Sequence, residues 1–293
     1  MLQKNALDHV VVGVPDLASA RGRLEALGFQ VQADAHHPFG TGNCNVFFEN
    51  GTYFEPLAIT DRDAELAALK AANPFVQKFD AYRFRHGYGP LMAAFTTDSA
   101  ESMNALLASH GKSAGDILSF IRDQALPDGS MTSIGVHLAL AADEWAPDIT
   151  LFTCEHLSRD ILWRPERVVH LNGIVGISRL IAVETNPSDF QYLFQTITGD
   201  RDLRTTSAGM EMDLPNAHVS VLTPTAYAAI TGLDIEERGR GPRIEAAELE
   251  VKNIGAFKTH LDEASILYRE IADTLIIDRL EAFPITLIIR AAD

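Results

Sequence analysis

The feature that most limits the possible folds of this chain is a strand-helix-strand pattern that recurs four times. In the first copy a β-branched run, Val10 to Val14, is followed by apolar residues at helical spacing from Leu17 onward. Residues typical of helix N-caps stand where the four helix patterns begin: Asp16, Asp98, Asn186 and Asn253. Because these caps divide the chain into units of similar size, we interpret them as an internal repeat of βαβββ modules. An α+β protein without a repeat is the alternative.

The modules are predicted to pair in sequence order. A βαβββ module exposes an apolar sheet face that it cannot bury alone, and two pairs fit the 293 residues of the chain. The segment from Ser158 to Gly173 mixes charged residues with Pro165 and ends in glycine, which is typical of an inter-domain connection. We therefore predict an α+β fold with an N-terminal domain over residues 1–166 and a C-terminal domain over residues 167–293.

Charge and composition exclude several classes of partner. The chain carries 24 basic and 40 acidic residues, a formal net charge of −16, and has no Lys/Arg cluster long enough to follow a phosphate backbone. Nucleic acid and membranes are therefore poor partners, and no apolar run approaches the roughly 20 residues of a membrane span. Two separated cysteines and no secretory pattern predict a cytoplasmic protein. Phosphate-loop and GxGxxG motifs are absent, so no nucleotide cofactor is expected.

Glu55 is a carboxylate inside an otherwise aromatic and aliphatic run. The preceding Asn50-Gly51 predicts a two-residue hairpin turn of type I′, which places Phe48 opposite Tyr53 and Glu55 on the same sheet face. A carboxylate on such a face loses hydration worth several kcal/mol unless a cation, a metal or hydrogen-bond donors replace it. We therefore expect a partner for Glu55.

Three stretches resemble the vicinal oxygen chelate superfamily and, within it, the glyoxalase-like domain proteins. They are LDHVVVGVPDL at residues 7–17, NVFFENGTYFEPLA at residues 45–58, and the region from FTCEH at 152–156 to HLNG at 170–173. The resemblance covers the chain well up to Thr185 and implies module pairs that form cup-shaped mixed sheets. It also implies a divalent metal in the cup, held by the first and last strands of each module. Such proteins include lyases, isomerases, ring-cleaving dioxygenases and drug-binding resistance proteins.

The resemblance points to His9 and Glu55 as metal ligands, because they stand on the first and last strands of the first module. Imidazole and carboxylate ligands suit Zn²⁺, Fe²⁺, Mn²⁺ or Ni²⁺, and His156, at the end of the second module, is a candidate third ligand. The first strand of that module, Leu91 to Phe95, offers no ligand where metal-dependent members carry His. A hydrogen bond between His9 and Glu55 without metal is the alternative.

Other polar and aromatic residues near the predicted cup are candidates for contact with a substrate. They are His37, Asn45, Phe48, Tyr53, His137 and Glu155. His37 belongs to a glycine-rich loop suited to cover a pocket mouth. A solvent-exposed or ordinarily hydrogen-bonded role is the alternative for each of the polar residues.

The second domain lacks the ligands of a ring-cleaving dioxygenase. Arg179 and Ala246 lie near the two positions at which the resemblance implies histidines, and the closing strand Ile285 to Arg290 contains no glutamate. The 2-His-1-carboxylate triad that such chemistry requires is therefore not predicted in this half of the chain.

Two main functions remain open. In the first, a metal on His9 and Glu55 binds two adjacent oxygens of a small substrate for lyase, isomerase or oxygenase chemistry, and Glu55 also moves a proton. In the second, the same cup sequesters a small molecule without turnover, as in bleomycin-resistance proteins. A third alternative is an assembly surface in a homodimer.

Overall fold

A computed structural model of the chain describes residues 4–125, 131–235 and 239–292. Within these ranges the strands form two curled mixed sheets with helices between them, so the predicted α+β fold of four βαβββ modules is confirmed. The first module consists of β1 (Leu7–Gly13), α1 (Leu17–Ala26), β2 (Ala35–His36), β3 (Thr41–Asn43), β4 (Val46–Phe47) and β5 (Tyr53–Ile59).

Two helices that the sequence analysis did not predict follow, namely α2 (Arg62–Lys70) and α3 (Pro74–His86). The second module then consists of β6 (Gly89–Thr96), α4 (Ala100–Ser109), β7 (Leu118–Ala125), β8 (Met131–Leu140) and β9 (Thr150–His156). A short helix, α5 (Arg159–Leu162), and a 3₁₀ turn at Pro165–Arg167 lead out of it. The predicted boundary at residues 166 and 167 falls in this turn, between the two sheets, and the boundary stays a prediction.

The second half of the chain repeats the pattern. The third module consists of β10 (Ile174–Val183), α6 (Gln191–Thr198), β11 (Arg204–Thr206), β12 (Gly209–Asp213) and β13 (His218–Leu222), after which α7 (Pro224–Thr231) leads to the next module. The fourth module consists of β14 (Arg243–Val251), α8 (Ile254–Glu263), β15 (Arg269–Ile271), β16 (Thr274–Ile277) and β17 (Thr286–Ala291). In the part of the chain that the structure describes, no helix is long and apolar enough to span a membrane.

Each sheet is built around an antiparallel pair of first strands. The first sheet has the order β2-β3-β5-β1-β6-β9-β8-β7, with β4 paired to β5, and the second has the order β11-β12-β13-β10-β14-β17-β16-β15. In both, the first strand of each module pairs in parallel with the last strand of the same module. We call the concave face that carries His9 and Glu55 the first cup, and the concave face that carries Ile181 and Ile288 the second cup.

Local cap chemistry explains where most of the helices begin. Asp16 accepts a hydrogen bond from the backbone N–H of Ser19, and Asn253 caps α8 in the same way, as predicted. The prediction of Asp98 as a cap was wrong by one residue, because Ser99 supplies the capping oxygen of α4. Both residue types have suitable oxygens, so the sequence alone did not distinguish them.

The predicted start of α6 at Asn186 was also imprecise. A 3₁₀ turn at Pro187–Phe190 precedes the α-helix, and within the described residues Asn186 makes no side-chain cap. The predicted stop at Gly199 is confirmed, since this glycine has the left-handed backbone, φ 72°, that ends helices.

The predicted hairpin register was wrong. Phe47, and not Phe48, pairs with Tyr53, so five residues separate the paired positions. The reason lies in Asn50, whose Oδ1 accepts hydrogen bonds from the N–H and Oγ1 of Thr52 at 3.2 and 2.6 Å. This side-chain turn replaces the expected two-residue turn, and it reverses the faces to which Phe47 and Phe48 project.

The convex faces of the two sheets share one apolar core. Val10 and Phe54 of the first sheet belong to the same buried cluster as Ile177 and Leu249 of the second. Asn216 ties the sheets together, because its side chain accepts from the N–H of Leu7 at 2.9 Å and donates to its carbonyl at 2.8 Å.

The concave face of the first sheet is covered by α3. Phe75, Val76 and Phe79 pack there in one cluster with Val11 and Leu57. This helix begins at Asn73 and Pro74, a cap followed by proline at the first helical position, which was an available sequence signal. The first cup is therefore closed on one side by an apolar helix.

Candidate functional site

A bulge in β1 brings two consecutive polar side chains to the first cup. Leu7 pairs with Phe95 and His9 pairs with Ala94, so Asp8 is an extra residue in the strand. A bulge redirects a side chain that simple alternation would send to the other face. Asp8 is consequently buried at one end of the cup, and the Nδ1 of His9 donates to its Oδ2 at 2.7 Å.

His9 and Glu55 meet inside the first cup. The parallel register pairs Val11 with Glu55, which gives Glu55 the same face as His9. The Nε2 of His9 lies 3.2 Å from Oε2 of Glu55, and the residues are 3% and 5% exposed. The ring of Tyr53 stacks on the imidazole at a centroid distance of 4.3 Å. The predicted convergence of these two groups is therefore present.

The second oxygen of Glu55 is held by Asn43. Its Nδ2 donates to Oε1 of Glu55 at 2.6 Å and to Nε2 of His37 at 3.3 Å. The Nε2 of His37 also lies 3.7 Å from the same carboxylate oxygen. Glu55 thus has one oxygen fixed by an amide and the other facing His9.

The two groups shift each other's pKa. Burial alone would lower the pKa of His9, but hydrogen bonds to Asp8 and Glu55, together with their charges, raise it to about 9. Burial would raise the pKa of Glu55, but the hydrogen bond and charge of His9, with smaller effects of His37 and Asn43, lower it to about 2. Without a metal, therefore, an imidazolium lies between carboxylates at neutral pH.

Asp8 is the hub at the other end of the cup. Its Oδ2 also accepts from Nε2 of His156 at 2.8 Å, and its Oδ1 accepts from Nη1 of Arg159 at 2.7 Å. Burial would raise the pKa of Asp8, but His156 and His9 hold it well below the usual range. Arg159 also donates to the carbonyl of Gly51 at 2.9 Å and lies 3.8 Å from the ring centroid of Trp163.

These groups line a small cavity with a volume of about 40 Å³. Its polar lining includes His9, His37, Asn43, Asn45, Glu55, Cys154 and His156, and its apolar lining includes Tyr53, Phe75, Phe120, Ile134, Val136, Leu138, Phe152 and Leu162. Two buried polar atoms of this lining, Oδ1 of Asn45 and Nδ1 of His156, have no hydrogen-bond partner within the described part of the chain. Because buried polar atoms are rarely left unpaired, they indicate a place for a ligand or water.

Three predicted contact residues lie outside this cavity. Phe48 packs in the convex core, with its ring 5.6 Å from that of Phe54, because the true hairpin register turns it away. His137 projects from the opposite face of β8 and pairs with Oγ of Ser119 at 2.7 Å. Glu155 accepts from the N–H of Ala100 at 2.9 Å and so stabilises the start of α4.

Sequence reasoning missed Asp8 and Arg159. No alternation pattern assigns Asp8 to the cup, because only the bulge redirects it. Arg159 lies in a segment that we interpreted as an inter-domain connection. His37, Asn45, Tyr53 and His156 lie where a ligand in the cavity would contact them.

The donor set fits a divalent metal at His9 and Glu55. Ligand atoms each 2.0–2.2 Å from an ion are roughly 3.0–3.5 Å apart, and the Nε2 to Oε2 distance is 3.2 Å. Asp8 accepts hydrogen bonds from His9, His156 and Arg159. Through the bond to Nδ1 it orients the imidazole of His9, as carboxylates behind metal-binding histidines do.

A second donor set lies at the other end of the cup. Single ligand atoms of Asp8, Cys154 and His156 lie within 4.8 Å of one another. Both oxygens of Asp8 already accept hydrogen bonds, and burial, with the charges of Asp8 and Glu55, raises the pKa of the Cys154 thiol well above its usual value. A thiol that remains protonated is a poor ligand, so this set fits less well.

Paired βαβββ modules, a cup-shaped sheet and a buried His-Glu pair in the cup define a protein of the vicinal oxygen chelate class. A family model described as glyoxalase-like domain matches residues 7–198, which is more than half of the chain. The chain therefore belongs to the glyoxalase-like domain family. No curated relative matches the sequence significantly.

Solved structures share the fold at low sequence identity. A hypothetical protein from Staphylococcus aureus is 11% identical with a TM-score of 0.66, covering 98% of this chain and 99% of that one. The Mn(II)-bound glyoxalase from Novosphingobium aromaticivorans is 10% identical with a TM-score of 0.57, covering 99% and 82%. A triple mutant of 4-hydroxymandelate synthase from Streptomyces coelicolor is 13% identical with a TM-score of 0.58, covering 100% and 95%. At these identities the likeness shows the fold alone.

Proposed function

We propose that the first cup binds a small oxygen-bearing molecule through a divalent metal held by His9 Nε2 and Glu55 Oε2. The observation that carries this proposal is the 3.2 Å distance between these two buried atoms inside a lined cavity. Nitrogen and oxygen donors suit Zn²⁺, Fe²⁺, Mn²⁺ or Ni²⁺. Mn²⁺ is the first ion to test, because the glyoxalase from Novosphingobium aromaticivorans, which has a similar fold, is Mn(II)-bound.

The protein's own groups would orient the metal and the bound molecule. A bound metal supplies Lewis-acid stabilisation of negative charge on substrate oxygen. Asn43 holds Oε1 of Glu55, so the carboxylate keeps the orientation that would present Oε2 to the metal. Oδ1 of Asn45 and Nδ1 of His156 are free to contact polar groups of the molecule. Lyase or isomerase chemistry is the reaction class that we propose for this arrangement.

A second function, binding without turnover, is favoured by a different observation. Met92 and Ala94 of β6 lie on the concave face and offer no strong metal ligand. Aromatic and aliphatic side chains together form the remaining wall, among them Tyr53, Phe75 and Leu138. Such a wall suits sequestration of an apolar small molecule. The homodimer that the sequence suggested stays a prediction.

Metal analysis of the untagged, full-length protein separates these functions. After purification without chelator we expect about one equivalent of divalent metal in the wild type and far less in His9→Ala and Glu55→Ala. His137→Ala is the matched control, because that histidine lies on the other face of the sheet, and it should retain the metal. Metal that survives both cup substitutions would contradict the proposed site. Wild-type protein that binds dicarbonyls without metal would support the binding function instead.

A further inference from the structure

The second cup repeats the backbone geometry of the first with different side chains. Ile177 pairs with Leu249 and Arg179 pairs with Glu248, so β10 has a bulge at the residue before Arg179, as β1 has before His9. The two bulges align the sheets residue by residue. Arg179 therefore occupies in the second cup the place that His9 occupies in the first.

The same register identifies the other equivalent positions. Ser220 stands where Glu55 stands, because Ile181 pairs with Ser220 as Val11 pairs with Glu55. By the same alignment Glu248 corresponds to Ala94, and Arg290 corresponds to Cys154. The second cup thus has a guanidinium and a hydroxyl in place of the imidazole and carboxylate, a combination that binds anions and not metals.

Two buried polar atoms of this cup lack a partner. Ser220 is 0% exposed, and neither its Oγ nor the Nε of Arg179 has a hydrogen-bond partner in the described ranges. Buried polar atoms are rarely left without a partner, so each of these two atoms offers a position for a ligand. Both side chains share the concave face with Ile181 and Leu222, so both donors face the same space.

The acidic groups nearby do not neutralise Arg179. Glu248 pairs with Arg179 across the two strands, but its carboxylate forms an ion pair with Arg290, whose Nε lies 3.4 Å from Oε1 of Glu248. Glu250 lies on the same face two residues further along β14 and is partly exposed. No carboxylate among the described residues lies within the 4.0 Å of an ion pair with Arg179. Arg179 is half-buried, and its charge therefore has no acidic partner among the described residues.

We propose that the second cup binds a small organic carboxylate, with Arg179 and Ser220 as donors to its oxygens. The planar guanidinium suits the two oxygens of a carboxylate. Ile181, Leu222 and Ile288 lie on the same face as these donors and pack with Tyr227 of α7 in one buried cluster. This cluster would form the apolar side of the site. One guanidinium and one hydroxyl suit a monoanion better than a phosphate dianion, which needs more donors.

The test uses the full chain and sodium benzoate as the probe, with calorimetry and ligand-observed NMR as readouts. We expect Arg179→Gln to weaken benzoate binding at least tenfold and Ser220→Ala to weaken it severalfold. Two controls should bind as the wild type does. Arg269→Gln removes an equal charge from an exposed ion pair with Asp278, and Glu55→Gln alters only the first cup.

Ser220→Ala removes a hydroxyl that has no partner in the described structure, so this variant should fold as well as the wild type. Its thermal midpoint distinguishes lost binding from lost folding. Benzoate binding that is unchanged in Arg179→Gln, or that depends on Glu55, would overturn the proposal. A wild type that binds inorganic phosphate through Arg179 but not benzoate would overturn the carboxylate class.

Discussion

The Nε2 of His9 lies 3.2 Å from the Oε2 of Glu55, although the two residues are 46 positions apart in the chain and both are almost fully buried. Parallel pairing of β1 and β5 produces this proximity, and Asp8 and Asn43 hold the two groups from either side. The arrangement fits a divalent cation and accounts for a charge in an otherwise apolar run.

Replacing Glu55 with glutamine should remove metal binding with little change in shape. The amide keeps the volume and the contact with Asn43, but it loses the negative charge that a cation requires. We expect metal affinity to fall by more than the roughly 10–100-fold typical of losing a residue that only orients a ligand. Competition against a chromogenic chelator measures this change, and an affinity within threefold of the wild type would contradict the assignment.

Asp8→Asn should affect metal affinity and stability together. The substitution weakens the orientation of His9, so affinity should fall roughly 10–100-fold. It also leaves Arg159 and His156 without a buried carboxylate, which should cost about 3–5 kcal/mol in the free energy of unfolding. Urea unfolding measures the loss. Asp16→Asn is the control, because asparagine caps helices as well as aspartate does, and it should be nearly neutral.

The metal-free protein should lose stability as the pH rises above neutrality. The pKa of His9 is raised from 6.5 to about 9, so its stabilising contribution is complete below pH 6.5 and is lost as the pH rises through 9. Thermal midpoints of chelator-treated protein between pH 6 and pH 9.5 test this. In His9→Asn the slope over this interval should be smaller, and equal slopes in both proteins would contradict the shift.

Below neutral pH, the metal-free protein should lose stability as the pH falls. The pKa of Glu55 is lowered from 4.5 to about 2, so its contribution is complete above pH 4.5 and is lost as the pH falls toward 2. Urea unfolding of chelator-treated wild type and Glu55→Gln between pH 5 and pH 2.5 should show the difference between them shrinking. A difference that stays constant would show that Glu55 has an ordinary pKa.

Phe48→Ala should destabilise the fold without affecting the first cup. The side chain is fully buried in the convex core, so its removal should cost about 3–5 kcal/mol. Metal affinity of the folded variant should match that of the wild type. If Phe48 faced the cup beside Glu55, as the sequence predicted, ligand binding should change instead. Phe84→Ala, at a side chain that is 91% exposed, is the neutral control.

Much of the fold was accessible from the sequence because its signals are local. Asp16 and Asn253 cap helices through bonds to residues three positions later, and Gly199 ends α6 through its own backbone. His9 and Glu55 were paired as a candidate site through the family resemblance, and strand alternation agrees with their common face.

The remaining features depend on contacts that no local pattern reveals. Asp8 reaches the cup only through a bulge in the pairing of β1 with β6. Phe48 lies on the opposite face from the predicted one because the side chain of Asn50 forms hydrogen bonds with Thr52 and with the carbonyl of Ile177 in the second sheet. Phe75 covers the cup from a helix between modules, and the repeat pattern contained no place for that helix.

The most direct test is the position of a metal in crystals of the full chain grown with Mn²⁺ and measured by anomalous diffraction. We expect one anomalous peak in the first cup, within about 2.3 Å of His9 Nε2 and of a Glu55 oxygen. A peak at Asp8, Cys154 and His156, or no peak in this cup at saturating Mn²⁺, would contradict it.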